Sequence, residues 1–167
     1  MLSVSLVKAI PADVQSIMLL IEAAVVEMAK AEIDQWDENY PNAAVIAGDM
    51  PGGNLWCLKV PDRMAGIISL NEVQPPVYHG IDWIDRTGPP LVVHRLCIHP
   101  DFQRKGLAKR LLNFAQDFAA QNGYSSIRLD TFRYNHPAIA LYTALGYQRR
   151  GEVTFRRRGF YCYEKIL

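Results

Sequence analysis

Residues 91–121 constrain the fold more than any other part of the chain. Leu91–His99 is a nearly continuous apolar run, which is typical of a strand covered on both faces. A short loop follows, and Leu107–Gln121 then has the spacing of an amphipathic helix that stops at Gly123. The order of strand, short loop and helix favours an α/β fold in which the helix packs on a sheet.

The loop between this strand and this helix has the composition of an anion-binding site. Its polar and positive side chains, with one in the first helical turn, are those of Gln103, Arg104, Lys105 and Lys109. Gly106 lets a ligand approach the main chain closely, and Ala108 keeps the next turn small. The first N–H groups of a helix have no internal partner, and the helix dipole adds partial positive charge there. We therefore expect a phosphate-bearing ligand at this loop.

A second stretch with a recognisable pattern begins at Asn135. Pro137 suits the first turn of a helix, with Asn135 or His136 as the capping residue. Gly146 fits the left-handed position that follows a helix. Tyr142 lies about two helical turns after Asn135, so the two residues share one face of the predicted helix.

Together the two stretches resemble the GNAT superfamily of N-acetyltransferases. The matching positions are Gln103-x-x-Gly106-x-Ala108 and Asn135-x-x-Ala138-x-x-Leu141-Tyr142-x-x-x-Gly146-Tyr147. The resemblance is clearest over residues 91–147 and looser over the whole chain. It implies an α/β, GNAT-like fold with splayed central strands: a mixed, mostly antiparallel sheet of about seven strands flanked by about four helices. We expect a single acetyltransferase domain over residues 1–167.

The resemblance also implies acetyl-CoA as the acyl donor. The pantetheine arm would pair with the main chain of Leu96, Cys97 and Ile98, in the gap between the splayed strands. Asn135 would hydrogen-bond the coenzyme near its thioester. The residues expected around the pyrophosphate are Gln103, Arg104, Lys105, Gly106, Leu107, Ala108 and Lys109.

Transfer from a thioester to an amine needs a neutral amine, a donor for the oxyanion and a proton for the leaving thiolate. By resemblance Tyr142 is the general acid, because a phenol stays protonated at neutral pH; simple packing of this aromatic ring is the alternative. The base is open between Glu72 and His94, with His79 as a third candidate.

Composition excludes several classes of function. Net charge is +1, which gives no general attraction to nucleic acid or to a membrane surface. There is no apolar run of roughly eighteen residues that could span a bilayer. Three widely separated cysteines suggest neither a disulfide framework nor a metal site, so we expect a cytoplasmic protein without a metal.

Two further groups of residues remain open to two interpretations each. The arginines of the predicted C-terminal hairpin either form a solvated sheet edge or attract an acidic acceptor or nucleic acid; they are Arg149, Arg150, Arg156, Arg157 and Arg158. Two segments, residues 34–54 and 73–90, are predicted to be irregular. Their aromatic residues either anchor loops or line an amine pocket through cation–π contacts; they are Trp36, Tyr40, Tyr78 and Trp83.

The sequence thus predicts an enzyme that moves an acetyl group from acetyl-CoA to a primary amine by direct attack. The acceptor is expected to be a small molecule or a peptide, and the sequence is compatible with a homodimer. A non-catalytic acyl-CoA sensor or interaction module is the alternative, since the same motifs would serve binding alone.

Overall fold

In a computed structural model, which describes residues 3–167, the described chain forms seven β-strands and four α-helices. The strands are β1 (Ser5–Lys8), β2 (Leu55–Val60), β3 (Arg63–Asn71), β4 (Pro90–Ile98), β5 (Ser126–Phe132), β6 (Gln148–Phe155) and β7 (Arg158–Ile166). The helices are α1 (Val14–Lys30), α2 (Ala43–Gly48), α3 (Leu107–Gln121) and α4 (His136–Ala144).

The strands form one mixed sheet in the order β1-β2-β3-β4-β5-β7-β6. β4 and β5 are parallel, and Leu91 lies opposite Ile127 in their register. The pairs β1–β2, β2–β3, β5–β7 and β6–β7 are antiparallel. The predicted α/β class, with a mixed and mostly antiparallel sheet, is therefore confirmed.

The predicted elements differ from the observed ones mainly at their ends. α3 has the predicted bounds, because its amphipathic spacing and Gly123 mark both its length and its end. The sequence predicts a final hairpin with strands over residues 147–153 and 160–166, whereas β7 begins at Arg158 in the structure because the turn before it is shorter than predicted. That turn places Arg156 and Arg157 at φ values of 46° and 65°, which residues other than glycine seldom adopt.

The first of two compact units comprises residues 3–32, Trp36–Leu70 and His94–Leu112. Apolar residues recur at intervals of three and four from Ile17 to Met28, which predicts a helix with one face in the core. The structure confirms this for α1, where Ile17, Leu20, Ile21 and Ala24 are buried in the core of this unit. Val25 and Met28 pack against the same cluster while remaining partly exposed. This unit carries the loop after β4.

The second unit comprises Ile33–Gln35, Asn71–Val93 and Asn113–Leu167. Its core is largely aromatic and contains Tyr78, Trp83, Val92, Phe132, Val153, Phe160 and Cys162. This unit carries α4. A single domain over residues 1–167 stays a prediction. Within the described residues, no helix is long and apolar enough to cross a membrane.

Candidate active site

The loop of residues 99–106, which we call the glycine loop, is fixed to the end of β4 by side chains. It opens with a 3-10 turn at Pro100–Phe102. The Gln103 amide Nε2 donates a 3.1 Å hydrogen bond to the Ile98 carbonyl, and the Lys105 ammonium donates at 2.8 Å to the Asp101 carbonyl. These bonds hold the loop in place, and contact of either side chain with a ligand stays a prediction.

The main chain of the glycine loop turns twice through the left-handed region. Arg104 has φ 57° and Gly106 has φ 78°, and the backbone groups of such successive turns form a concave surface that suits an anion. A Cβ atom added to Gly106 would meet nothing within 4 Å, so the space beside the glycine is open. The first turn of α3 begins next to it and leaves N–H groups without intrahelical acceptors. This geometry is compatible with the predicted anion site, which stays a prediction.

The end of β4 is built for close approach of main chain to main chain. A Cβ atom at Gly66 of β3 would lie 3.0 Å from the Cys97 carbonyl and 2.6 Å from the Ile98 side chain. Burial raises the pKa of the Cys97 thiol to about 12, so this cysteine is not a thiolate nucleophile. The register with β5 includes Pro90–Val92, and Leu96–Ile98 follow it along the strand.

Arg95 lies within β4, and the sequence analysis did not single it out as a structurally important residue. Its φ of 51° is unusual for a strand residue and places a bend immediately before Leu96. The guanidinium forms a two-pronged ion pair with the buried carboxylate of Asp49, with one Nη2–Oδ1 distance of 2.6 Å. It also donates a 3.0 Å bond to the Tyr40 hydroxyl. The buried ion pair explains how the bend is held, because breaking it would leave a charge without a partner.

Asn135, one of the two predicted capping residues, caps the helix that carries Tyr142. Its side-chain oxygen accepts from the Ala138 N–H at 3.3 Å, at the start of α4. Its amide nitrogen donates to the side-chain oxygen of Gln35 at 2.8 Å. Gln35 lies far away in sequence, so no local pattern could have indicated it. The predicted contact between Asn135 and a coenzyme stays a prediction.

Tyr142 is buried in α4 among other tyrosines. Its ring centroid lies 5.9 Å from that of Tyr147 and 5.7 Å from that of Tyr163. Burial raises the pKa of the Tyr142 phenol well above its usual value, and the nearby charge of Asp130 raises it further. The phenol is therefore protonated throughout the physiological pH range, which is the state that a general acid requires. Packing and acid chemistry are compatible roles for this residue.

The three candidate bases lie in different surroundings. Glu72 is exposed and accepts a 2.9 Å hydrogen bond from the Tyr124 hydroxyl. His94 lies half-buried on β4, and His79 is exposed in a 3-10 turn at Pro76–Gly80. The role of general base stays a prediction for each of them.

Asp130 of β5 is a further carboxylate near Tyr142. The buried Tyr78 hydroxyl donates to Asp130 at 2.5 Å, and burial, together with this pairing, raises the pKa of Tyr78. The bond fixes the orientation of one carboxylate oxygen inside the second unit.

Three of the four aromatic residues of the irregular segments anchor their loops. Trp36, Tyr78 and Trp83 are buried in the cores of their units. Trp83 also lies under the guanidinium of Arg128, 4.3 Å from the ring centroid. Tyr40 is half-buried and bonded to Arg95. These positions favour the anchoring interpretation over an amine pocket.

Four of the five C-terminal arginines contact groups of the second unit. Arg158 forms a two-pronged ion pair with Asp34, Arg156 donates to the Gln35 carbonyl, and Arg150 donates to the Asp82 carbonyl. Arg149 lies over the Tyr161 ring at 4.3 Å. These contacts favour a structural hairpin over a surface for nucleic acid.

A buried ion pair in the second unit was also missed. Arg128 donates to Glu164 at 3.0 Å, and the Glu164 side chain is fully buried. A signal for it existed, since Arg128 lies between the apolar residues Ile127 and Leu129, and buried charges need partners.

Within residues 3–167, no cluster of three or more His, Cys, Asp or Glu side chains is arranged to hold a metal ion.

Comparison with known proteins gives the class of this chain. The sequence model of the Acetyltransferase (GNAT) family matches residues 21–147. A crystal structure of a GNAT-family acetyltransferase from Streptococcus agalactiae superimposes with a TM-score of 0.85 at 30% identity, covering 100% of this chain and 99% of that one. The PaiA N-acetyltransferase of Thermoplasma acidophilum, solved with coenzyme A, has the same fold at 16% identity, with a TM-score of 0.76 and 99% of each chain covered.

The chain belongs to the Acetyltransferase (GNAT) family, as the two sequence stretches indicated. Among curated proteins it is 39% identical to the N-alpha-acetyltransferase RimI of Mycobacterium tuberculosis over 83 residues, which is 48% of each protein. It is 26% identical to human N-acetyltransferase 8 over 104 residues, 62% of this chain and 42% of that protein. The matched region thus spans less than half the length of these curated relatives.

Proposed function

We propose that this protein is an acetyl-CoA-dependent N-acetyltransferase whose acceptor is the primary amine of a small molecule or a peptide. The observation that carries the proposal is the glycine loop, where Arg104 and Gly106 turn through the left-handed region beside the start of α3. Membership in the Acetyltransferase (GNAT) family supports the reaction class. The related fold of PaiA, which was solved with coenzyme A, supports the choice of coenzyme.

The coenzyme would be held mainly by the main chain. N–H groups from Arg104 to Lys109 would donate to the pyrophosphate, as the start of a helix does for anions. The main chain of Leu96–Ile98 would pair with the pantetheine arm, and a backbone N–H there would polarise the thioester carbonyl. Asn135 would hydrogen-bond the coenzyme near the thioester.

The reaction would proceed by direct attack of the neutral amine on the thioester carbon. The new C–N bond forms as the C–S bond breaks, the amine loses one proton to a base, and the thiolate gains one from Tyr142. The ordinary pKa of a thiol is near 8.5 and lies below the raised pKa of the Tyr142 phenol, so the phenol is protonated as the sulfur departs and stabilises the thiolate by a hydrogen bond. The proton that the base takes from the amine replaces the one that the thiolate finally gains from Tyr142. Glu72 and His94 are the candidate bases, and His94 could act through water.

Binding and turnover are measured separately to test this function. Calorimetric titration of the purified chain with acetyl-CoA is expected to give saturable heat at one site per chain. A panel of amines and peptides is then assayed for acceptor-dependent release of free thiol. We expect Tyr142→Phe to lower kcat by a factor of roughly 10² or more while acetyl-CoA binding is retained.

Each outcome has a distinct meaning. No heat with acetyl-CoA would overturn the proposal as a whole. Saturable binding without turnover of any acceptor would favour the sensor or interaction module instead. Unchanged kcat in Tyr142→Phe, with turnover present, would remove the acid role from this residue alone.

A further inference from the structure

The three residues Ile33–Gln35 lie in the second unit, although the chain on either side of them belongs to the first. Ile33 packs against the aromatic core of the second unit. Asp34 accepts both prongs of Arg158, at 2.7 Å and 2.9 Å, and the Gln35 carbonyl accepts from Arg156 at 2.6 Å. The segment is thus fastened to the tip of the β6–β7 hairpin.

The side-chain oxygen of Gln35 accepts hydrogen bonds from groups at the end of β5 and just before α4. Its oxygen lies 3.1 Å from the Thr131 hydroxyl, 2.8 Å from the Asn135 amide nitrogen and 3.4 Å from the Phe132 N–H. Thr131 is fully buried, so its hydroxyl depends on a protein acceptor. One carboxamide oxygen therefore serves three groups at the junction between β5 and α4.

This contact decides which way the Asn135 amide faces. An amide has an accepting and a donating end, and the surrounding hydrogen bonds determine which end lies where. Because Gln35 presents an oxygen, the nitrogen of Asn135 faces it, and the Asn135 oxygen remains to accept from Ala138. Without Gln35 the Asn135 amide could rotate, and both the cap and the donor position would be lost.

We infer that Gln35 is a positioning residue for the coenzyme site, acting through Asn135. The inference depends on the proposed function, in which Asn135 contacts acetyl-CoA near the thioester. Gln35 would act through the Asn135 amide and not by its own contact with the coenzyme or the acceptor. It sets the direction of the Asn135 amide. Arg156 and Arg158 of the β6–β7 hairpin hold residues 34 and 35 in the position that this contact requires.

The test measures acetyl-CoA dissociation constants by calorimetry, which needs no acceptor. Gln35→Leu removes the accepting oxygen at similar size, and we expect a Kd roughly tenfold higher than that of the natural chain. Gln35→Glu retains an accepting oxygen and is expected to bind within about threefold of the natural chain. Gln35→Asn draws the oxygen back by one carbon and should fall between the two.

A double-mutant cycle separates positioning from general support of the fold. If Gln35 acts through Asn135, Gln35→Leu combined with Asn135→Ala weakens binding no more than Asn135→Ala alone. Fully additive losses, or an unchanged Kd in Gln35→Leu while Asn135→Ala binds more weakly, would overturn the inference. Arg133→Gln serves as a control, since it breaks an exposed ion pair with Glu152 and leaves the Ile33–Gln35 contacts intact.

The proposed function and this inference fail in different ways. If the natural chain gives no heat with acetyl-CoA, the function fails. If the natural chain binds and the Gln35 variants do not follow the expected order, only the positioning role fails. Should Gln35→Leu not fold, the comparison of Gln35→Asn with Gln35→Glu decides the same question.

Discussion

The glycine loop and the proline-rich segment of residues 72–89, which we call the proline segment, are both irregular, yet they are held in different ways. The glycine loop in the first unit is largely exposed, and its conformation rests on left-handed backbone angles at Arg104 and Gly106. The proline segment in the second unit is held by hydrogen bonds to two buried charged side chains, Arg128 of β5 and Glu164 of β7. Glu164 accepts from the Ile84 N–H at 2.6 Å, and Arg128 donates to Gln74 at 2.7 Å.

This difference fits the anion-binding role proposed for the glycine loop. A loop that binds an anion through its own N–H groups must leave those groups accessible, so few side chains can cover it. A long segment without regular hydrogen bonding must instead satisfy its buried polar groups from neighbouring elements. A loop of the first kind can be recognised in a short sequence pattern. A segment of the second kind depends on residues that are distant along the chain.

The largest expected effect tests the anchor of the proline segment. Arg128→Met leaves the fully buried Glu164 without its cation, and we expect a loss of about 3–5 kcal/mol in the free energy of unfolding. Urea unfolding measures this directly. Arg133→Gln, which breaks an exposed ion pair, should cost less than about 1 kcal/mol. Equal losses in the two variants would show that burial of the charge is not what anchors the segment.

A smaller effect is expected from close packing at Gly88. A Cβ atom there would lie 1.9 Å from the Ser125 hydroxyl oxygen and 2.5 Å from the Ser125 Cβ, so Gly88→Ala must displace one of the two segments. We expect a loss of roughly 1–3 kcal/mol in the free energy of unfolding. Gly80→Ala is the matched control in the same segment, because its Cβ would meet nothing within 4 Å. Thermal unfolding of both variants would reveal an error if Gly80→Ala proved the more damaging.

The glycine loop is tested by two glycines with the same backbone angle. Gly106 and Gly123 have φ values of 78° and 77°, and an added Cβ would meet nothing at either position. Each change to alanine should therefore lower the free energy of unfolding by about 1 kcal/mol. Only Gly106→Ala is expected to weaken acetyl-CoA binding, measured by calorimetry, because its methyl group would fill the open space beside the loop. Equal weakening by both variants would contradict the placement of the coenzyme.

The smallest effect concerns acid stability in the proline segment. A hydrogen bond from Ser125, with further bonds from the Gly88 and Thr87 N–H groups, lowers the pKa of Asp85 to about 2. Since the unfolded carboxyl titrates near 3.9, the ionised form stabilises the fold above that pH, and this contribution disappears as the pH falls towards 2. The stability difference between the natural chain and Asp85→Asn should shrink over that range. A constant difference from pH 5 to pH 2 would be inconsistent with the lowered pKa.

Local patterns predicted the elements and the motif positions. The apolar spacing of α1 and α3, the stop at Gly123 and the cap at Asn135 are all confirmed, because each depends on residues within a few turns of one another. The family itself was recognisable for the same reason, since its two motifs are short and lie in fixed order. Sequence reasoning misplaced the start of β7, where two arginines adopt a turn conformation that is uncommon for their type.

Only the tertiary structure revealed which distant residues support these elements. The partnerships of Gln35 with Asn135, of Arg95 with Asp49 and of Arg128 with Glu164 join positions that are 100, 46 and 36 residues apart. A lone charged residue in an apolar strand predicts that a partner exists, because a buried charge must be paired. It does not predict which residue is the partner, because that residue can lie anywhere along the chain. The sequence by itself thus determined the fold and the loop that would hold the coenzyme, through short-range backbone geometry. The orientation of the polar side chains around that framework was decided by folding, which brings remote donors and acceptors within hydrogen-bonding distance.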